Sequence, residues 1–332
     1  MKLLQKMQYN GGIIDAHCDT VHYFTEVKDV YDFTQKNTIA QLDLPRMETG
    51  GIKVQFFALY IEPAYKSGNA LKRCLQLLDS FYQTVKPCVD RLEVVYNYPG
   101  LLRVNKEGKI AAILTVEGGE ALEGDLGVLR MLFRLGIRGL GLTWNQRNEI
   151  ADGVGERETG GGLTRFGKKV IKEMNDLGMI IDLSHISPKG FYDVLKVTAA
   201  PVIVSHANAQ KICPHARNLT DEQLKALREN GGVVGITFYP DFIHDKNPDL
   251  NILLDHFEYI SEAAGIDHLG IGSDFDGMGG KMLKGLTDVS CLPSLIQGLF
   301  ARGFKEKDLQ KILYGNFLRV IKEIDNNGTQ EA

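Results

Sequence analysis

The sequence predicts an α/β fold, a (β/α)8 TIM barrel with a metal site at the C-terminal face of its strands. Three observations predict it. Eight short apolar runs recur along the 332 residues, amphipathic segments separate them, and histidines and acids close most of the runs.

The runs are "GGIIDAH" (11–17), "KVQFFALYI" (53–61), "IAAILTVEG" (110–118), "GIRGLGLTW" (136–144), "GMIIDLSH" (178–185), "PVIVSHA" (201–207), "GVVGITFY" (232–239) and "LGIGSDF" (269–275). Each is rich in Val, Ile, Leu and Phe and short enough for a buried strand.

The intervening segments carry apolar residues at spacings of three and four, the stripe of a surface helix. Leu71, Cys74, Leu75, Leu78 and Phe81 line one such face; Leu292, Leu295, Ile296, Leu299 and Phe300 line a second. Leu309, Ile312, Leu313, Phe317, Val320, Ile321 and Ile324 form a C-terminal one. Thr220 with Gln223 reads as a helix start, and Gly231 and Gly232 as its stop.

Alternating strands and helices imply parallel pairing, which a closed barrel and a doubly wound open sheet satisfy equally. The polar residues tilt the choice, because chemistry in a barrel gathers where strands meet their following loops. The run ends hold His17 and Asp19, Glu117, Trp144, His185, His206 and Asp274. No linker interrupts the pattern, so residues 1–332 are expected to form one barrel domain with its core at about 11–325. The long segment from His22 to Thr49 is expected to cover part of the mouth.

Composition narrows the function classes. Hydrophobic residues at 44% and charged residues at 24% are those of an ordinary globular chain. A net charge of −4 offers no basic surface for nucleic acid. "MKLLQKMQYNGG" falls short of a signal peptide and no run is long enough to span a bilayer, so no membrane association and a cytoplasmic location are expected. The five cysteines are spread out with no C-x-x-C pair, which argues against a disulfide framework and a thiolate zinc site. "DGVGERETGGG" (152–162) lacks the G-K-[ST] of a phosphate loop, and no G-x-S-x-G elbow occurs.

Each polar strand end alone has a bland reading as a surface turn or a hydrogen-bonded core residue. On one barrel axis, His17, Asp19, Glu117, His185 and His206 become five convergent ligands, the usual composition of a metal site. Residues i and i+2 share a strand face, so His17 and Asp19 point inward while Cys18 packs outward. Asp15, one pleat deeper, is expected to be a supporting hydrogen-bond acceptor. Three imidazoles and two carboxylates suit zinc and would also take manganese, cobalt or iron.

The motifs "DAHCD", "TVEGGEAL", "LGIRGLGLTWNQRNEIADG", "GLTRFGKKVIKEMNDLGMIIDLSHIS", "PVIVSHANAQKICPHARNL", "IGSDFDG" and "YGNFLRV" resemble those of the renal-type (membrane) dipeptidases, peptidase family M19, a branch of the metal-dependent amidohydrolase superfamily. The resemblance runs from about Ile13 to Ile321. It implies a (β/α)8 barrel with two zinc ions (Zn2+), the first held by His17 and Asp19, the second by His185 and His206, with Glu117 bridging. It also implies Asp274 as catalytic acid/base, Arg217 as the group that holds substrate, and a homodimer by analogy. Animal relatives carry a histidine where this chain has Trp144, followed by Asn145; both are expected to touch substrate. The lack of signal and lipid-anchor segments resembles soluble bacterial-type relatives.

The expected activity is therefore hydrolysis of one peptide bond in a small dipeptide, possible with a D-residue at its C-terminal position, by metal-activated water. Two alternatives stay open: a related amidohydrolase acting on N-acyl amino acids, for which Trp144 is the best argument, and a non-catalytic ligand-binding barrel.

Overall fold

The computed structural model describes residues 12–28 and 30–328. Among the described residues run nine parallel strands: β1 (Ile13–Asp15), β2 (Ile52–Tyr60), β3 (Leu92–Val94), β4 (Ile110–Glu117), β5 (Ile137–Gly141), β6 (Ile180–Asp182), β7 (Ile203–Ala207), β8 (Val233–Ile236) and β9 (Leu269–Ile271). Eight of them close a ring in the order β1-β2-β4-β5-β6-β7-β8-β9, with β9 returning to β1. The expected barrel is present. A ninth strand, β3, was not expected; it pairs only with the lower half of β4, on Ile110–Ala112, below the point where β5 joins at Leu114.

Except for β2, the strands are shorter than the apolar runs. Most polar run ends lie just past the last ladder pair, in irregular backbone that can aim side chains at the barrel axis. Of the first run, Gly11 lies outside the described residues.

Neighbouring residues on one strand pack to opposite sides, as a pleat with period two requires. Ile14, Val54, Phe56, Ile113, Ile180, Ile203 and Val233 pack inside the barrel with Phe317, Val320, Ile321 and Ile324 of the C-terminal helix Asn316–Asn327, which closes the bottom. Ile13, Phe57, Leu114, Ile181, Val204 and Val234 pack outward against the helices.

The helix Ala70–Val85 buries Cys74, Leu77, Leu78 and Phe81, but Leu75 is exposed; Phe300 is likewise exposed on Leu292–Ala301. Both sit at the edge of an apolar stripe, where spacing alone does not separate rim from core. Thr220 and Gln223 form a reciprocal capping box on the helix Asp221–Asn230, and Gly231 ends it in the left-handed conformation. Among the described residues no helix is long and apolar enough to cross a membrane.

The segment after β1 is tied to the loop after β9 at the barrel's rim. Gln41 N donates to Asp276 Oδ1 at 2.5 Å, Asp276 N donates back to Gln41 Oε1 at 2.8 Å, and Arg46 reaches Asp288 at 3.1 Å.

Candidate metal centre

All five expected ligands meet at the C-terminal mouth, each less than a tenth exposed. Their donor atoms fall into overlapping groups: His17, Asp19 and Glu117; Glu117, His185 and His206; and His17, His206 and Asp274. Glu117 links the first two through different oxygens. Its Oε2 lies 3.7 Å from His17 Nε2, while Oε1 lies 2.9 Å from His185 Nε2 and 3.7 Å from His206 Nε2. Glu117 therefore stands between the two groups with one oxygen toward each.

The histidines are oriented from behind. His185 Nδ1 donates to Asn145 Oδ1 at 2.8 Å, so its Nε2 presents a lone pair. His206 Nδ1 donates to Ser205 Oγ at 2.9 Å, and that hydroxyl in turn donates to Asp182 Oδ2 at 2.5 Å. The two Nε2 atoms then face each other 2.8 Å apart, lone pair to lone pair, an arrangement that a shared cation relieves. Asp19 Oδ1 is also buried without a hydrogen-bond partner. The donor set is imidazole and carboxylate with no thiolate in the cluster, so the residues present fit zinc-type metal ions.

Asp15 has the supporting role expected of it. It accepts from Ser273 N at 2.8 Å, Ser273 Oγ at 2.6 Å and Gln55 Nε2 at 3.0 Å, beneath the cluster. Cys18 points outward, its Sγ 3.3 Å from Phe56 O. His256, by contrast, is a satisfied core histidine bonded to Ala209 N and Ile243 O, away from the cluster.

Asp274 Oδ1 lies 3.9 Å from His17 Nε2. Its φ of 65° and that of His185, also 65°, place two site residues in the left-handed region that non-glycine residues seldom adopt. Gly277 is required beside them, because a Cβ there would collide with the carboxylates of Asp19 and Asp274.

The electrostatics follow from burial of many charges together. Desolvation pushes Glu117 up to about 8 and Asp274 up to about 7, with His17 pulling both the other way. Burial alone would lower His17, but the carboxylates of Glu117, Asp19 and Asp274 raise it to about 10. Burial, followed by the neighbouring cations, drives His185 and His206 well below the usual imidazole range. These two are neutral and able to act as ligands.

Arg217 reaches the cluster from the loop after β7. Its Nη2 donates to His206 O at 3.0 Å, its Nε is buried with no partner, and Phe242 lies 5.4 Å from its guanidinium. Burial lowers it to about 10, which leaves it charged at neutral pH. Trp144 flanks the cluster, its ring 5.9 Å from that of His185.

Several contributors had no signal in the sequence. The bond from His185 to Asn145, a residue expected at the substrate, was one of them. Ser205 and Asp182 support His206. Asp276 accepts from Thr20 Oγ1 at 2.6 Å as well as from Gln41, and so braces the residue next to Asp19. Asn145 was expected at the mouth but its bond to His185 had no signal, and neither did the bracing role of Asp276 or its partner Gln41.

Comparison with known proteins identifies the family and the fold. The model of the family described as membrane dipeptidase (peptidase family M19) matches residues 1–332. The chain is 36% identical over 313 residues to the dipeptidase aclJ of Aspergillus oryzae, covering 89% of this chain and 73% of that protein. It is 34% identical over 322 residues to dipeptidase 3 of Mus musculus, covering 94% of this chain and 64% of the mouse protein. A crystal structure of a metallo peptidase from Rhodobacter sphaeroides, liganded with a phosphinate mimic of the dipeptide L-Ala-D-Ala, superposes with a TM-score of 0.87 at 28% identity, over 95% of this chain and 99% of that one.

Proposed function

Because the chain belongs to the membrane dipeptidase family of metallopeptidases, we propose that it hydrolyses the peptide bond of small dipeptides with two zinc ions. Glu117 carries the reading, through its two oxygens directed at separate ligand groups. His17 and Asp19 would hold one ion, His185 and His206 the other, with Glu117 between them. Bound there, the metal ions supply Lewis-acid polarisation of a carbonyl and lower the pKa of water toward neutrality.

The chain's own residues do the rest. Arg217 pairs with the substrate's free carboxylate, since its unpartnered Nε and planar fork suit a bidentate contact. That contact selects short substrates with a free C-terminus and fixes the scissile bond over the ligand cluster. Asp274, the remaining acid at the cluster, accepts the proton of the attacking water and returns one to the leaving amine. Trp144 borders the substrate at the cluster's rim, while Asn145 acts through His185.

Incubation of the zinc-loaded protein with L-L and L-D dipeptides should release free amino acids. Hydrolysis of N-acyl amino acids in preference to every dipeptide would favour the amidohydrolase reading, and metal content without any turnover would favour a binding barrel.

A further inference from the structure

Resting on the assignment of Arg217 to the substrate carboxylate, the ring of strands fixes the opposite end of the substrate. Arg217 follows β7, and β2 stands four places from β7 around the eight-strand ring, directly across the mouth. A dipeptide with its carboxylate at Arg217 and its scissile bond over Glu117 must therefore extend its N-terminal residue toward the loops after β2, β4 and β5.

Those loops meet in an aromatic corner. Tyr60 ends β2 and Trp144 follows β5; their rings lie 5.3 Å apart at 54°, and both are half-buried. Lys66 Nζ sits 5.2 Å from the centre of the Trp144 ring, a cation–π contact. The same ammonium donates to Glu120 Oε1 at 2.8 Å and to Gln146 Oε1 at 2.9 Å, so the charges of Lys66 and Glu120 offset each other. Glu62 at the same rim is engaged by Arg73 Nε at 2.9 Å and by His22 at 3.4 Å. A side chain arriving here meets two ring surfaces and carboxylates that already have cationic partners.

We propose that Tyr60 and Trp144 are specificity-determining residues that form the wall for the side chain of the substrate's N-terminal residue, favouring an apolar or aromatic one. Lys66 lies over the indole face, and Glu120 and Gln146 hold its ammonium there.

The test compares kcat/KM of the zinc-loaded protein for Gly-Ala, Leu-Ala, Phe-Ala, Asp-Ala and Lys-Ala. Leu-Ala and Phe-Ala should exceed the other three by at least about tenfold, the discrimination that an apolar pocket can supply. Trp144→Ala should collapse the Phe-Ala to Gly-Ala ratio to within about threefold of unity, and Trp144→Phe should restore most of it. Trp144 is the single tryptophan of the chain, so a reduced-amide analogue of Phe-Ala should alter its fluorescence on binding to the wild-type protein. Hydrolysis with a ratio unchanged in Trp144→Ala, a wild-type preference for Gly-Ala or a charged N-terminal residue, or unaltered fluorescence at saturation would overturn the wall alone. Failure to hydrolyse any dipeptide would overturn the dipeptidase reading and the wall with it.

Discussion

Asn145 Oδ1 accepts the Nδ1 proton of His185 across 2.8 Å, and this bond leaves the Nε2 lone pair directed at Glu117 and His206. A partner behind a ligand imidazole fixes both its tautomer and its direction. Asn145→Ala should therefore weaken metal binding by about 10–100-fold with the fold intact. Competition with a chelator, followed beside the circular dichroism spectrum, measures it; unchanged metal affinity would place Asn145 elsewhere in the mechanism.

Asp274 and His206 separate proton transfer from ligation. Asp274→Asn keeps the shape of the side chain while removing its base, and should lower kcat by roughly 10²–10⁴-fold with two metal ions still bound. His206→Ala removes a ligand and should lower both activity and metal stoichiometry. Metal analysis of the two purified variants distinguishes them, and loss of metal from Asp274→Asn would make Asp274 a ligand.

Asp276 connects two loops through one half-buried carboxylate, accepting from Thr20 Oγ1 at 2.6 Å and Gln41 N at 2.5 Å. Asp276→Ala would leave both donors without that acceptor and should cost about 1–3 kcal/mol of stability. Because Thr20 adjoins Asp19, activity should fall as well. A denaturant midpoint within error of wild type would contradict the bracing role.

The pair Glu62–Arg73 gives a pH-dependent prediction away from the ligands. Burial would raise Glu62, but hydrogen bonds from His22 and Arg73 outweigh it and hold the group at about 2. A depressed carboxyl stabilises the fold above its unfolded value, near 4.5, and loses that contribution as pH falls through about 2. Glu62→Gln should be less stable than wild type at pH 7 by roughly 2 kcal/mol, and the gap should close as pH falls from 4.5 toward 2. Thermal unfolding across that range checks it; a gap that widens on acidification would contradict the sign.

Much of this was legible in the sequence because the ligands sit in a repeated place. His17, Glu117, His185, His206 and Asp274 each follow an apolar run, and a barrel brings such ends to one axis. The strand β3 was not legible, since Leu92-Glu93-Val94 is too short to show a period and exists by pairing with the lower part of β4. Asn145 could be placed at the mouth but not at His185, because the two meet from different loops. The same holds for Lys66 and Glu120, and for Gln41 and Asp276. Contacts of this kind depend on loop conformation, which residue spacing does not encode.

Titrating zinc into metal-depleted protein while following hydrolysis of one dipeptide measures how many ions the cluster needs for activity. Activity should rise with added zinc and saturate at about two equivalents per chain, one for each of the two ligand groups that share Glu117. Full activity at one equivalent, or none at any stoichiometry, would contradict this expectation.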